Sequence, residues 1–390
     1  MNPPGRKLRI GVAGLGRAFA VMLPTFAADP RVALVAAADP RGEARQRFTA
    51  DFAGTAYARV EDLCADRAVE IVYIATPHQF HAAHAVLAAG HGKHLLIEKP
   101  LALTLDDCDA IVAAANRAGV RLVVGHSHSF DAPILRLRTL VNDGAFGPVR
   151  MITAVNYTDY LYRPRRPEEL DTAQGGGAVF NQAAHQVDIV RLIGGGRVAS
   201  VRAATGAWDA ARPTEGAYAA LLTFADGAFA SLAYSGYGRF DSDEFDNWTG
   251  EMGQAKQPYA GAPRPRFASG TEETAYKTAR NYGGAEHRPS PPPAAHQHFG
   301  TLIVSCAQGD LRPAPSGVMI YQNGGARLEP LSPPAVPRAE VIDEVYRAVV
   351  DGAPPLHDGP WGTATVEVLL AMLRSASEGR EIGLTRQVGL

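Results

Sequence analysis

The chain of 390 residues is long enough for two domains, each with a substantial hydrophobic core. Its 46% hydrophobic and 20% charged residues are typical of a globular protein, and a formal net charge of −2 gives no indication of a nucleic-acid or membrane partner. The three cysteines lie far apart without metal-ligand spacing, and no apolar run approaches the roughly 20 residues that span a bilayer. Because no signal-peptide pattern opens the sequence, we expect a cytoplasmic protein with free thiols.

The first 126 residues alternate between predicted strands and helices. Strands are predicted at 8–13, 32–38, 70–75, 94–97 and 121–125, and helices at 17–28, 61–65, 81–89 and 104–117. Right-handed crossovers of this length make a doubly wound parallel sheet. The sequence therefore predicts a Rossmann domain over residues 1–126, in an α/β fold class.

A glycine-containing turn follows the first strand. In Gly14-Leu15-Gly16 the first glycine permits a tight turn, and the second lets the backbone approach a pyrophosphate at a helix N-terminus. That helix begins with Arg17-Ala18, so these five residues are candidate cofactor contacts. A third glycine is expected at position 19, where this chain has Phe19.

The second strand ends in Asp39-Pro40-Arg41, which bears on the choice of cofactor. A carboxylate at this position suits the ribose 2′-hydroxyl of NAD, whereas Arg41 could stack on adenine or meet the 2′-phosphate of NADP. We expect NAD in preference to NADP, with Asp39 and Arg41 in the adenosine site.

Two further strand ends carry candidate cofactor contacts. The turn Thr76-Pro77-His78, with His81 after it, lies where a nicotinamide ribose would bind, although either histidine could instead cap a helix or lie on the surface. The strand 94–97 stops at Glu98-Lys99-Pro100, and the proline pushes Lys99 out of the helical region. The pair Glu98 and Lys99 therefore stands at the predicted site edge.

The second half predicts a different sheet. Strands at 149–157, 198–207, 218–224, 228–234 and 301–306 lack crossover helices, and Asp226-Gly227 predicts a hairpin. We therefore expect an α+β domain over 127–390 with an open, mainly antiparallel sheet. Helices are predicted at 133–142, 338–350 and 362–377. A long polar insertion at 236–298 is expected to form a lid or an interface arm. Half-exposed strands leave an apolar face, which predicts a homodimer or homotetramer.

A second group of candidate residues lies on the helix predicted from Ala178. Asn181 and His185 are four residues apart, and Asp188 follows three residues later, so an imidazole oriented by a carboxylate could move a proton. The alternative is a core histidine satisfied by Asp188. His126 and His128 alternate on extended chain and could both face a substrate; without a nearby carboxylate pair, no metal site is expected.

The loop 160–171 presents three arginines between prolines: Arg163, Arg165 and Arg166. Guanidinium groups suit bidentate recognition of carboxylates, so this loop predicts an anionic substrate. The alternative is that the arginines pair with Glu168, Glu169 and Asp171 of their own loop.

These motifs together resemble a known family. The order Gly14-x-Gly16, Asp39, Ala75-Thr76-Pro77 and Glu98-Lys99-Pro100 is similar to that of the Gfo/Idh/MocA oxidoreductases. The resemblance implies that Lys99 reaches the nicotinamide and the substrate, and that the peptide before Pro100 is often cis. The family usually has an aspartate where this chain has Asn181, which shifts the expected proton chemistry to Lys99 and His185.

Within the family, the chain resembles the phthalate 4,5-cis-dihydrodiol dehydrogenases at 156–167, 181–185 and 296–300. That resemblance implies a cyclohexadiene diol with two adjacent carboxylates, oxidised by NAD to the catechol. Lys99 would be the base, His185 would orient the hydroxyl or relay its proton, and Asn181 would hydrogen-bond it. A sugar or inositol dehydrogenase is the alternative enzyme, and a non-catalytic NAD(P)-binding regulator is the alternative of another class.

Overall fold

The computed structural model describes residues 6–125, 127–259, 267–289 and 293–390. The chain divides into two compact units. The first unit comprises Met1–His126, Ser269–Pro291 and Val336–Thr363, and the second comprises Ser127–Ala268, Pro292–Ala335 and Ala364–Leu390.

The first unit contains a six-stranded parallel sheet in the order β3-β2-β1-β4-β5-β6, so the predicted Rossmann fold is confirmed. Its strands are β1 (Leu8–Ala13), β2 (Val32–Ala38), β3 (Thr55–Tyr57), β4 (Ile71–Ile74), β5 (His94–Ile97) and β6 (Leu122–Val124). Its helices are α1 (Arg17–Ala28), α2 (Gly42–Phe52), α3 (Val60–Ala65), α4 (His81–Gly90) and α5 (Leu105–Ala118), joined later in the chain by α8 (Gly270–Arg280) and α9 (Ala339–Val349). The sequence prediction lacked α2, β3 and α8.

Local sequence explains the main elements of this unit. All four residues of β4 and the last three of β5 are buried, as expected for strands with helices on both faces. Helix α5 begins where Thr104 accepts a hydrogen bond from the Asp107 backbone at 3.1 Å, and it ends at Gly119, whose φ is +65°. Strand order reverses between β1 and β4, and ligands of open α/β sheets bind outside the carboxyl ends at such a point.

The predicted second domain, 127–390, needs correction because two of its segments fold with the first unit. The backbone N–H of Val124 donates to the carbonyl of His357 at 2.7 Å, and Arg338 donates to the carbonyl of Val21 at 2.9 Å. These two bonds, one before and one after α9 in the chain, attach its segment to the first unit. Segment 269–291, in the middle of the predicted insertion, contains α8 and also joins the first unit. These assignments rest on contacts between residues hundreds of positions apart, which periodicity does not reveal.

The second unit contains a nine-stranded sheet in the order β14-β13-β12-β11-β7-β10-β9-β8-β15. Its strands are β7 (Val149–Tyr157), β8 (Val198–Gly206), β9 (Ala217–Phe224), β10 (Phe229–Ser235), β11 (Thr301–Cys306), β12 (Gly309–Ala314), β13 (Gly317–Gln322), β14 (Gly325–Pro330) and β15 (Ile382–Gly383). Among the described strands of this sheet, β7 and β10 are the one pair that runs in parallel, so the expected mainly antiparallel sheet is confirmed.

The helices of the second unit are α6 (Ala132–Asn142) and α7 (Ala184–Ile193), which is preceded by a π-helical turn over Val179–Ala183. Helix α10 (Gly359–Glu378) begins in the first unit and continues into the second. The hairpin predicted at Asp226-Gly227 joins β9 to β10, with Gly227 at φ +90°. No helix among the described residues is long and apolar enough to cross a membrane.

Candidate active site

The glycine turn after β1 has the geometry that a dinucleotide requires. Gly14 has φ +96°, and a Cβ there would press on the backbone of Ala75. A Cβ on Gly16 would meet no atom within 4 Å, so this side of the turn is open at the N-terminus of α1. Backbone N–H groups at a helix N-terminus bind phosphate, so Gly14 to Ala18 fit the pyrophosphate of NAD.

Asp39 and Arg41 form a tightly bonded pair at the end of β2. One carboxylate oxygen of Asp39 accepts from the Leu15 backbone at 2.8 Å, which ties the acid to the glycine turn. The other accepts from both the backbone and Nε of Arg41, at 2.9 and 3.0 Å. The carboxylate thus lies at the position where the adenosine ribose of NAD is bound in this type of fold.

His81, predicted to contact the cofactor, is instead fully buried. Its ring nitrogens lie 3.0 Å from the carbonyl oxygens of Pro100 and Thr76, so the ring links the turn after β4 to the turn after β5. Burial lowers the pKa of His81, and the neutral ring donates to one carbonyl at a time. His78, at the same strand end, is half-buried, and its ring meets that of His81 edge-on at 5.5 Å.

The motif after β5 divides into a buried acid and a more accessible base. Glu98 is buried and accepts a hydrogen bond from the hydroxyl of Tyr73, so it braces the strand end. Burial, followed by the charge of Glu98, raises the pKa of Tyr73. Lys99 is half-buried, and the Lys99–Pro100 peptide is cis, as the family resemblance implied.

In the second unit, Asn181 does not lie on a regular α-helix. It belongs to the π-helical turn, and its side chain donates to the carbonyls of Gly175 and Gly177 at 3.0 and 2.9 Å. The expected shared face with His185 assumed an α-helical repeat, which a π turn alters. Asn181 therefore anchors the glycine segment that precedes the helix.

His185 lies in α7 and is 6% exposed. Its ring meets the ring of His128 at 5.0 Å and the ring of Phe299 at 4.7 Å between centroids. The described hydrogen bond of Asp188 is with Ser129, whose hydroxyl donates at 2.5 Å. The structure thus brings His185 together with His128, and the orienting role of Asp188 stays a prediction.

His128 carries the best-defined ion pairs near His185. Its Nδ1 is 2.7 Å from Asp131 and its Nε2 is 3.4 Å from Glu251. Burial opposes a charge on this ring, but the two carboxylates outweigh burial and raise the pKa of His128 to about 9. The same contact, together with the charge of Arg163, lowers the pKa of Glu251 against the effect of burial.

The expectation that no carboxylate pair lies near His128 is therefore wrong. Asp131 is only three residues after His128, so this pair could have been predicted from the spacing. Glu251 belongs to the insertion, and nothing in the sequence around His128 predicts its contact. No cluster among the described residues has the ligands to hold a metal ion. His126 lies outside the described residues.

The three arginines of the loop differ in their environment. Arg165 donates to the carbonyl of Tyr160 at 2.5 Å, and its guanidinium lies 3.8 Å from the centre of that tyrosine ring. Arg166 is ion-paired with Glu168 and Glu169 at 3.0 and 3.4 Å. These two arginines thus hold their own loop, and Arg166 does so through Glu168 and Glu169, two of the carboxylates that the alternative named.

Arg163 is the most accessible of the three, with 44% of its side chain exposed. Its Nε donates to Asp159 at 2.8 Å. Among the described residues, no hydrogen bond is recorded for either terminal nitrogen. These two donors can receive the oxygens of a carboxylate.

Two family models match this chain, one in each half of the sequence. The model of the GFO/IDH/MocA oxidoreductase family, NAD-binding Rossmann fold, matches residues 8–126, and that of the GFO/IDH/MocA C-terminal domain matches residues 134–251. The chain belongs to the GFO/IDH/MocA family. It is an oxidoreductase with an NAD-binding domain.

The chain is similar to a 1-carboxy-3-chloro-3,4-dihydroxycyclohexa-1,5-diene dehydrogenase of Comamonas testosteroni, 48% identical over 94% of both chains. The crystal structure of a Bordetella bronchiseptica RB50 protein is 42% identical, with a TM-score of 0.91 over 97% of this chain and 100% of that one. A myo-inositol 2-dehydrogenase of Thermotoga maritima is 29% identical over 50% of this chain and 57% of its own.

Proposed function

We propose that the protein oxidises a carboxylated cyclohexadiene cis-diol to the catechol, using NAD. The Comamonas testosteroni relative, which matches nearly the whole chain, is named for a cyclic diene that carries two hydroxyls and one carboxylate. Phthalate 4,5-cis-dihydrodiol is our candidate substrate, which would place the enzyme in phthalate degradation. The inositol dehydrogenase matches only half of this chain, which favours the diene diol over a polyol.

The observation that carries this proposal is the accessible guanidinium of Arg163. The loop has three arginines, but Arg165 and Arg166 are occupied by Tyr160 and the loop carboxylates. The two terminal nitrogens of Arg163 can take up one carboxylate in a bidentate pair. An uncharged sugar or inositol offers hydroxyl acceptors but no carboxylate for a bidentate, charge-assisted pair with this cation.

The reaction removes a hydride from a carbinol carbon and a proton from its hydroxyl. NAD, when bound, accepts the hydride. We assign the proton to Lys99, with His185 orienting the hydroxyl or relaying the proton. The ring ketone that results then enolises to the aromatic catechol. Asn181, which bonds two glycine carbonyls, supports the chain before α7 in this proposal.

The test is NADH formation with four compounds: phthalate 4,5-cis-dihydrodiol, a monocarboxylated cis-dihydrodiol, an uncharged cis-dihydrodiol and myo-inositol. We expect turnover of carboxylated diols, with little turnover of the uncharged diol or of inositol. A preference for inositol or for the uncharged diol would contradict the proposal. Comparing the first two compounds decides between one and two carboxylates.

Replacing Arg163 tests the contact itself. A hydrogen bond to a charged group contributes about 1.5–3 kcal/mol, so Arg163→Ala should lower kcat/KM for a carboxylated diol about tenfold or more. Arg163→Lys should recover only part of the loss, because an ammonium lacks the bidentate fork. Arg166→Ala is the matched control, since its guanidinium is held by Glu168 and Glu169. Equal losses in the Arg163 and Arg166 variants would reject the assignment.

We also propose that the protein forms a homodimer or homotetramer through the outer face of its nine-stranded sheet. The strand registers place four apolar side chains on one face, each 37–46% exposed: Met151, Leu221, Phe229 and Ile303. A second copy would remove this apolar surface from water.

A further inference from the structure

One segment of the insertion contacts the nucleotide-binding fold directly. We call residues 269–289 the strap; it contains α8 and belongs to the first unit. Its Tyr282 is 1% exposed and meets the ring of Phe19 edge-on at 5.1 Å between centroids. The Tyr282 hydroxyl donates to Asp51 at 2.8 Å. The strap is therefore anchored to both α1 and α2.

The next residue, Gly283, lies against the start of α2. Its φ is +78°, and a Cβ there would lie 2.5 Å from Cα of Ala44 and 2.9 Å from its backbone nitrogen. Any larger residue must push the strap away from α2. Phe19 stands where a third glycine was expected, and it is fully buried against Tyr282. Packing against Tyr282 of the strap therefore explains why this chain has a phenylalanine, and not a glycine, at position 19.

The strap also reaches the residue pair that faces the adenosine ribose. The carbonyl of Tyr282 accepts from Nη1 of Arg41 at 3.2 Å. The Nη2 of Arg41 donates to the Leu15 carbonyl at 2.8 Å, and its Nε donates to Asp39 at 3.0 Å. The guanidinium of Arg41 is thus held by hydrogen bonds to three groups: the carbonyl of Tyr282, the carbonyl of Leu15 and the carboxylate of Asp39.

An arginine beside the adenosine ribose is the group that accommodates the 2′-phosphate of NADP, provided that its guanidinium can turn toward it. We propose that the strap is a cofactor-selectivity element: by fixing Arg41 through the Tyr282 carbonyl, it withholds this guanidinium from a 2′-phosphate and so excludes NADP. This inference concerns the cofactor alone and does not depend on the proposed diol substrate.

The experiment measures the dissociation constants of NADH and NADPH by fluorescence titration in the absence of substrate. Gly283→Ala displaces the strap from α2, and Tyr282→Ala removes its anchor between Phe19 and Asp51. We expect each variant to lower the ratio of the NADPH Kd to the NADH Kd by roughly tenfold, the effect of losing one hydrogen bond to a charged group. Arg280→Ala is the control, because its ion pair with Glu286 is exposed and should leave the ratio unchanged.

The same titrations in an Arg41→Ala background identify the cause. If the strap acts through Arg41, the gain in NADPH binding must disappear when Gly283→Ala is combined with Arg41→Ala. A ratio within twofold of the wild type in the folded strap variants would overturn the proposal, as would a gain that persists without Arg41. Circular dichroism shows whether each variant is folded, and Gly283→Ala, which keeps every side chain, carries the test if Tyr282→Ala does not fold.

Discussion

The charge on His128 gives a prediction whose size follows from the structure. Asp131 and Glu251 raise the pKa of this buried ring from an ordinary value of 6.5 to about 9, which at 1.36 kcal/mol per pKa unit corresponds to about 3 kcal/mol. Because the folded state binds this proton more tightly, the contribution is fully present below pH 6.5 and is lost as the pH rises through about 9. Asp131→Asn keeps an acceptor oxygen but removes one of the two negative charges, so the pKa of His128 should fall, with Glu251 alone still opposing the effect of burial.

Two measurements check this reasoning. NMR of protein with labelled histidine, with His128 assigned by His128→Gln, should show the ring titrating near pH 9 in the wild type and at a lower pH in Asp131→Asn. Between pH 6.5 and 9, the free energy of unfolding measured in urea should fall by about 3 kcal/mol in the wild type and by less than that in Asp131→Asn. Asp310→Asn removes an exposed carboxylate and should leave both results unchanged. A wild-type His128 that titrates near pH 6.5 would refute the assignment of a buried cation.

Three further predictions concern catalysis, cofactor and assembly. Lys99→Ala should lower kcat by about 10²–10⁴ while NADH binding persists, and a near-normal kcat would remove Lys99 from proton transfer. The wild type should have a higher kcat/KM with NAD than with NADP because Asp39 repels a 2′-phosphate; Asp39→Ala should reduce that preference, and an NADP preference in the wild type would contradict the assignment. Leu221→Lys, on the exposed sheet face, should convert the proposed oligomer to a monomer in light scattering, whereas a wild-type monomer at micromolar concentration would reject the oligomer.

Much of the first unit could be predicted from the sequence because its signals are local. Apolar runs of strand length, each followed by a helical repeat, specify a parallel sheet whatever the rest of the chain does. The carboxyl ends of parallel strands lie at one sheet edge, so Gly14, Asp39, Thr76 and Lys99 could be assigned to one region from their positions alone. The hairpin at Asp226-Gly227 was predictable for the same reason, since two residues define the turn.

The roles of individual charged side chains were decided only by the tertiary structure. Sequence spacing left all three loop arginines equivalent, and the fold separates them: Arg165 bonds the Tyr160 carbonyl, whereas Arg163 pairs with Asp159 through Nε and has 44% of its side chain exposed. Glu251 reaches His128 across 123 positions of the chain, and Tyr282 reaches Arg41 across 241. Closing a longer loop costs only slightly more entropy, so chain separation does not forbid such contacts and periodicity does not reveal them. The sequence alone therefore determines the nucleotide fold and its strand-end residues, and long-range packing determines which charges are buried in pairs and which can meet a ligand.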